Sequence, residues 1–409
     1  IETLGLDPTV ASVIQVSMEF ARGTSISKHL VALRTVAPIP NVTVHECNSE
    51  QDVLRTTRRL LVEYDPDVVS DYNGSKFDLS FLDTRAHTCD VPEFRYLSRF
   101  AHRPVTLREL NLSSGGMGDN HLRYYDMPGR DHLDLFMHFK MSEQEMSYKL
   151  STFARKYLND DKEDMDYKEI PVLQAGSAKD RARLGSYCMH DSHLLYLLDE
   201  ARGIITEHFV YASVFCIPMQ WVRLRGQQVR YISQLLEAVP LLLNTPTRGL
   251  SAGGKGYVGA VVNDPVCGFH KFPVATLDWM SLYPSLMQAH NLCPSTLVRD
   301  PKLFGMDGVV AHHVSETHTT YFQTKHRGIL PRILESLLSE RKFAKKEMKR
   351  YAKLAKEGDA SAAMLASVYD KRQLALKVSA NSVYGANGAH EMTGKYPCLA
   401  VSETTTFRG

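Results

Sequence analysis

The stretch "ALKVSANSVYGANG" (375–388) decides how the second half of this chain is read. Lys377, Asn381 and Tyr384 follow one another at spacings of four and three, which places them on one face of a helix. Gly385, where the pattern stops, predicts the helix end. One face therefore shows a cation, an amide and a phenol, in that order. A ligand that is anionic at one end and flat and apolar at the other suits such a face.

Working back along the chain, "ERKFAKKEMKRYAKLAK" (340–356) carries eight Lys or Arg against two acids, Glu340 and Glu347. Arg341 and Lys345 are one turn apart. Like charges at that spacing cost an isolated helix a few tenths of a kcal/mol each. A solvated surface helix is the plainer reading, but such helices usually interleave Glu with Lys. A polyanion turns the repulsion into affinity. The pattern predicts one helix over 330–356, a break at "EGDAS" and a second over 362–384, an antiparallel hairpin. Arg341, Lys345, Lys377 and Asn381 would then form a cradle for phosphates.

Ahead of the hairpin, "VATLDWMSLYPSL" (274–286) predicts a buried strand over 273–279 and then a helix. Pro284 suits that helix's first turn, where a missing N–H costs nothing. Asp278 would sit at the strand's C-terminal end, at the mouth of a cleft. Magnesium favours one or two carboxylates plus substrate phosphates. The plainer reading of Asp278 is a helix cap. In the first half, "YNGSKFDLSFL" (72–82) sets Asp78 at a helix start, and "YCMHDSHLL" (187–195) sets Tyr187 and Asp191 on one helical face. Strands alternate with helices over the first 200 residues, as in an α/β layer domain. A Gly-rich zone over 245–272 marks a boundary.

Length and composition set the frame. At 409 residues, two or three domains are expected. The 44% hydrophobic and 23% charged fractions are those of a globular protein. No run is apolar over the length a membrane span needs, so no membrane partner is expected. The seven cysteines are scattered without a CxxC pair, which speaks against a disulfide framework or zinc site. A net charge of +2 neither demands nor excludes nucleic acid. The chain opens on "IETLGL" without Met and closes on "TTTFRG" in mid-pattern; it is expected to be a piece of something longer.

Together these motifs resemble family B DNA polymerases. "DWMSLYPS" is similar to their first catalytic motif, and "KVSANSVYG" to their K-x-x-x-N-S-x-Y-G helix. "KGYVGA" (255–260), "RGQQ" (225–228) and "GILPRILESLLSERK" (328–342) are also family-like. "IET" at the start, "YNGSKFD" and "YCMHD" resemble the three ordered proofreading motifs. The likeness runs from end to end.

The resemblance implies a multidomain chain of α/β and α+β parts. Its ranges would be a ribonuclease-H-like 3′→5′ exonuclease domain over 1–200, a helical linker over 201–250, a first part of the palm over 251–327, the antiparallel fingers hairpin over 328–385, and a return to the palm over 386–409. It implies DNA-directed DNA polymerisation with proofreading and two Mg²⁺ (or Mn²⁺) ions per active site. Asp278 would ligate the polymerase metals; Glu2, Asp78 and Asp191 would ligate the exonuclease metals, with Tyr187 orienting the attacking water. Tyr283 would exclude a 2′-hydroxyl, Arg341, Lys345, Lys377 and Asn381 would hold the triphosphate, and Tyr384 would touch the nascent base pair. Asp134 would be structural. Primer–template DNA, deoxynucleoside triphosphates and a processivity factor are the implied partners, and the nucleus (a host nucleus for a virus) the implied place. The wording leans toward large DNA viruses or the delta-type branch. The family's first exonuclease acid would precede Ile1 and its paired-Asp turn would follow Gly409, so polymerisation by this stretch alone is not expected. Two other classes compete: a stand-alone exonuclease with a DNA-binding appendage, and a non-catalytic DNA-binding scaffold.

Overall fold

The computed structural model describes residues 1–114, 118–160, 165–239, 259, 263–316, 318–388 and 398–409. They divide into two units, Ile1–Ile205 and Thr206–Gly409, each with its own apolar core. Both mix helices with strands.

In the first unit, β1 (Glu2–Thr3), β2 (Val13–Arg22), β3 (Ser25–Leu33) and β4 (Thr43–Cys47) form one sheet in that order. The pairing is antiparallel through β3 and parallel between β3 and β4. The apolar run that opens β2 is buried on both faces, as its Val13 and Ile14 show. α1 (Glu50–Tyr64) starts where Ser49 accepts the Asp52 N–H and stops at Asp65, which turns left-handed at φ 46°. β5 (Val68–Asp71) and α2 (Asp78–Thr88) follow. β6 (Thr106–Ser114) and β7 (Gly118–Asp126) make a hairpin. β8 (Asp131–Asp134) runs parallel to β5, with Asp134 opposite Asp71. Four helices complete the unit: α3 (Leu135–Ser142), α4 (Leu150–Leu158), α5 (Glu169–Ala175) and α6 (Ala178–Arg202). A capping box between Ser177 and Asp180 opens α6, and Gly203, at φ 59°, closes it. Ser17 Oγ donates to the Cys188 carbonyl at 2.8 Å, which fastens α6 onto β2.

The second unit holds α7 (Ile204–Phe215), α8 (Trp221–Leu224), α9 (Gln227–Ala238) and α10 (Leu282–Ala289), then β9 (Val309–His313) antiparallel to β10 (Thr319–Gln323). α11 (Ile329–Lys356) and α12 (Ala360–Asn387), 28 residues each, form the expected hairpin. Glu340 reaches Arg372 at 3.2 Å across it, and Phe343 and Tyr351 both pack on Tyr369. α13 (Leu399–Arg408) closes the unit. Behind α10, Asn291 turns left-handed at φ 54°. Its Nδ2 donates to the Gln323 and His326 carbonyls at 2.8 and 2.9 Å, and its Oδ1 accepts the Gly328 N–H at 2.9 Å. The foot of α11 is thus bonded to the segment that ends α10.

Two expectations need correction. The segment 273–279 is not a buried strand: it forms neither strand nor helix and is exposed, Leu277 at 92%. A strand is a pairing, and among the described residues no strand runs beside it. Gly385 does not end its helix either. α12 continues through Asn387 and is capped at Gly388, because Ala386 and Asn387 are buried and Asn387 Nδ2 donates to the Val383 carbonyl at 2.7 Å. That packing outweighs the ~1 kcal/mol a mid-helix Gly costs. The "KGYVGA" stretch, Gly259 apart, lies outside the described residues, as do parts of the expected linker and of the return segment. Among the described residues no helix is long and apolar enough to cross a membrane, and all seven cysteines are free thiols.

Leu334 is fully buried at the hairpin's base, whereas Leu354 near its tip is 37% exposed. Leu334→Ala should cost about 3 kcal/mol in urea unfolding, the ordinary price of a core cavity. Leu354→Ala should cost under about 1 kcal/mol. Equal losses would mean that the base is not the hairpin's anchor.

Candidate functional site

Each unit gathers its own set of expected residues. In the first, Glu2 lies on β1 and is buried at 9% exposure. Asp78 is the first residue of α2, where a carboxylate is favoured by the helix dipole. The Ile1 nitrogen stands 3.1 Å from Asp78 Oδ1, so the start of β1 and the start of α2 meet. Tyr187 and Asp191 lie half-buried on α6, either side of Cys188. Burial pushes the Cys188 thiol up to about 12, and the charges of Glu2 and Asp191 add to that. Glu2 and Asp78 are thereby near one another at the starts of β1 and α2, while Asp191 stands on α6, which packs on β2. Hard oxygen donors of this kind match Mg²⁺ or Mn²⁺ in chemistry. Among the described residues, however, no three acidic, His or Cys side chains already stand at metal-holding distances.

The turn that presents Asp78 is held by residues that sequence reading passed over or gave no contacts. Asp134 is 1% exposed; its Oδ1 accepts the Asn73 N–H at 2.8 Å and the Phe136 N–H at 3.0 Å. Burial, then Asp71, raises its carboxyl above the usual range. This fits a structural residue. His132 Nε2 meets Asp71 Oδ2 at 2.6 Å, and Asp71 Oδ1 accepts the Gly74 N–H at 3.2 Å. A Cβ on Gly74 would run into the Asp71 carboxylate. The glycine between Asn73 and Asp78 was the one visible signal of that close approach. His190 and His193 belong to other contacts, with Asp160 at 3.6 Å and Glu19 at 3.0 Å.

In the second unit, Tyr283 and Tyr384 meet. Their rings stack with centroids 4.3 Å apart and planes 23° apart. Tyr283 is in the first turn of α10 and Tyr384 in the last of α12, so two motifs a hundred residues apart share one contact. Burial, then Tyr384, raises the Tyr283 phenol. Lys377 and Asn381 are exposed on α12, one turn apart. On α11, Lys345 is exposed, while Arg341 is half-buried with its Nε enclosed and without a hydrogen-bond partner. The Glu340–Arg372 pair fixes the helices' level, which sets Arg341 and Lys377 within about 10 Å along the hairpin axis at 1.5 Å per residue. Among the described residues no carboxylate pairs with Arg341, Lys345 or Lys377. The helix's three acids are already engaged, Glu335 with Arg327 at 3.9 Å, Glu340 with Arg372 at 3.2 Å and Glu347 with Arg350 at 2.6 Å. Asp278 is exposed, four residues ahead of α10, with no hydrogen bond or ion pair among the described residues. The structure does not draw it into the cluster of Tyr283 and Tyr384.

Comparison with known proteins gives the same division. Residues 217–409 match the family model of DNA polymerase family B, and residues 2–153 that of its exonuclease domain. The chain is similar to DNA polymerase delta catalytic subunits. It is 36% identical over 392 residues to that of Caenorhabditis elegans, 38% over 383 to that of Mesocricetus auratus and 34% over 411 to that of Schizosaccharomyces pombe. These alignments cover 93%, 93% and 98% of this chain, but 34%, 34% and 37% of the relatives. The chain spans about a third of the length of the curated relatives it matches. Of the two branches its wording leans toward, these relatives favour the delta type.

Near the tyrosine pair, His312 is 1% exposed and accepts from Arg408 Nε at 3.1 Å, with the His290 ring edge-on at 5.3 Å. Burial, then Arg408, then His290 push its pKa down to about 4. The unfolded chain therefore binds more protons between pH 6.5 and 4, and stability present above pH 6.5 is lost as the pH falls toward 4. About 3 kcal/mol is at stake for this one group. His312→Phe should flatten the pH dependence of unfolding over that window; an unchanged slope would place the proton elsewhere.

Proposed function

The chain belongs to DNA polymerase family B, and from that premise we propose that it is the part of a replicative, delta-type DNA-directed DNA polymerase that runs from the 3′→5′ proofreading exonuclease into the catalytic core. The observation that carries this reading is the Tyr283–Tyr384 contact. It joins the two motifs that a nucleotide has to touch together, its sugar at one and its base at the other. The exposed Lys377 and Asn381 lie on the same helix, on the side from which a triphosphate would arrive.

On this reading the first unit is a ribonuclease-H-like proofreading domain. Its antiparallel β1–β2–β3 run, the parallel β5–β8 pair and the covering helices support that architecture. Residues 201–250 serve as a linker, 251–327 and 386–409 as parts of the palm, and 328–385 as the fingers. Glu2, Asp78 and Asp191 would hold the exonuclease's divalent ions, and Asp278 would be one ligand of the polymerase's pair. When bound, such ions neutralise charge that develops on the phosphoryl oxygens.

The chain's own side chains do the rest. Arg341, Lys345, Lys377 and Asn381 bind and orient the triphosphate, a task in which positioning and charge outweigh covalent help. Tyr283 bars a 2′-hydroxyl by contact, and Tyr384 abuts the new base pair. Tyr187, on the face of α6 that carries Asp191, orients water at the 3′ end. Primer–template DNA, deoxynucleoside triphosphates and a processivity factor are the partners, and the nucleus is the place of work.

Two variants in the full-length natural protein separate the units' roles. Asp278→Ala should abolish primer extension and leave 3′ excision. Asp78→Ala should do the reverse. Extension that survives Asp278→Ala at near the natural rate would sink the metal assignment. A second measurement concerns α11. Primer–template affinity should fall steeply with salt, with a log–log slope that shrinks by roughly one per phosphate contact removed. A slope unmoved by Lys349→Ala, at an exposed lysine of α11 outside the triphosphate cradle, would return that helix to a solvated surface.

A further inference from the structure

Tyr384 is held on more than its stacked face. Its hydroxyl meets Thr406 Oγ1 at 2.5 Å, and its carbonyl accepts from Ser402 Oγ at 3.2 Å. Both partners lie on α13. The direction of the phenol's bond follows from the helix itself. Thr406 Oγ1 donates back to the Ser402 carbonyl at 2.9 Å, one turn earlier. A hydroxyl carries one proton, so towards Tyr384 the threonine only accepts, and Tyr384 donates. Thr404 and Thr405 bond back in the same way, each at 2.6 Å, and both are fully buried. Thr404 also meets Thr320 of β10 at 2.7 Å. Thr404 thus ties α13 to β10 through Thr320, and Thr406, further along the helix, ties it to Tyr384.

We propose that Thr406 is a positioning residue for sugar selection, an inference that rests on Tyr283 being the residue that bars a 2′-hydroxyl. Tyr283 is backed by the ring of Tyr384, so it retreats from an extra oxygen only when Tyr384 turns. The O–H donated to Thr406 resists that turn. The threonine never touches the nucleotide; it sets how far the barrier yields.

The test is made in the full-length natural protein, by comparing incorporation of deoxy- and ribonucleotides opposite the same template base. Thr406→Val keeps the side chain's shape and removes the acceptor, while Thr406→Ser keeps the acceptor. Thr406→Val should lower the deoxy-to-ribo ratio of kcat/KM about tenfold, the effect of one neutral hydrogen bond. The change should come mainly from faster ribonucleotide entry. Thr406→Ser should restore the ratio, and Tyr384→Phe should match Thr406→Val without adding to it. A merely structural threonine would slow both sugars alike, and that result overturns the proposal. So does an equal fall for Val and Ser. Tyr283→Ala keeps the two layers apart. If it relaxes sugar choice while Thr406→Val does not, only the role of Thr406 falls. If it leaves sugar choice unchanged, the reading of Tyr283 falls and takes this proposal with it.

Discussion

A helix that shows a cation to its ligand must be gripped by its other faces. That constraint shapes α12. Leu376, Ala380 and Val383 bury themselves in one cluster with Leu330 and Leu334 of α11. Ala375 enters another, with Phe215 and Val222. Polar ties add to these: Gln234 donates to Ser379, and Lys371 reaches Glu207 at 3.3 Å. Over 373–387 the exposed residues, Leu374, Lys377, Asn381 and Gly385, lie along one side. Burial of three sides supplies the rigidity that two exposed side chains need to meet a ligand in one geometry, since each free long side chain costs up to ~2 kcal/mol to fix. On the outer turns of α11, Lys346, Lys349 and Lys353 are exposed, and their charge is read as attraction at a distance.

The first unit solves the opposite problem. If Glu2, Asp78 and Asp191 act together as proposed, their like charges repel, and structure that is already stable must meet that repulsion. Glu2 sits on β1 beside the buried β2, Asp78 starts α2 with Phe81 and Leu82 buried in it, and Asp191 lies midway along α6 between the buried Leu184 and Leu194. The Asp71–His132 contact and the Asp134 hydrogen bonds then hold the turn ahead of Asp78. Both limit where Asp78 can go.

What the sequence disclosed follows from range. The two hairpin helices and the mixture of strands with helices in the first 200 residues were legible, because periodicity and breakers act within a few residues. Tyr187 with Asp191, and Lys377 with Asn381, could be placed on shared faces for the same reason. The segment around Asp278 was misread because a strand exists only with its neighbour, and its own residues carry no record of one. Gly385 was misread because packing of Ala386 and Asn387 overrode a local stop signal. His132 with Asp71 and Thr406 with Tyr384 are 61 and 22 residues apart. No spacing rule reaches that far, and a lone histidine or threonine announces nothing.

The three hydrogen bonds around Asn291 have a mechanical outcome. They join the end of α10 to the foot of α11 through a residue whose backbone is already turned left-handed. A lever bends where it is held least, and here the hold is greatest at the bottom. Any swing of the two long helices must therefore drag α10 along or flex in the upper turns. In a swing from the foot, the stacked tyrosines would move with the hairpin, and opening the one would loosen the other.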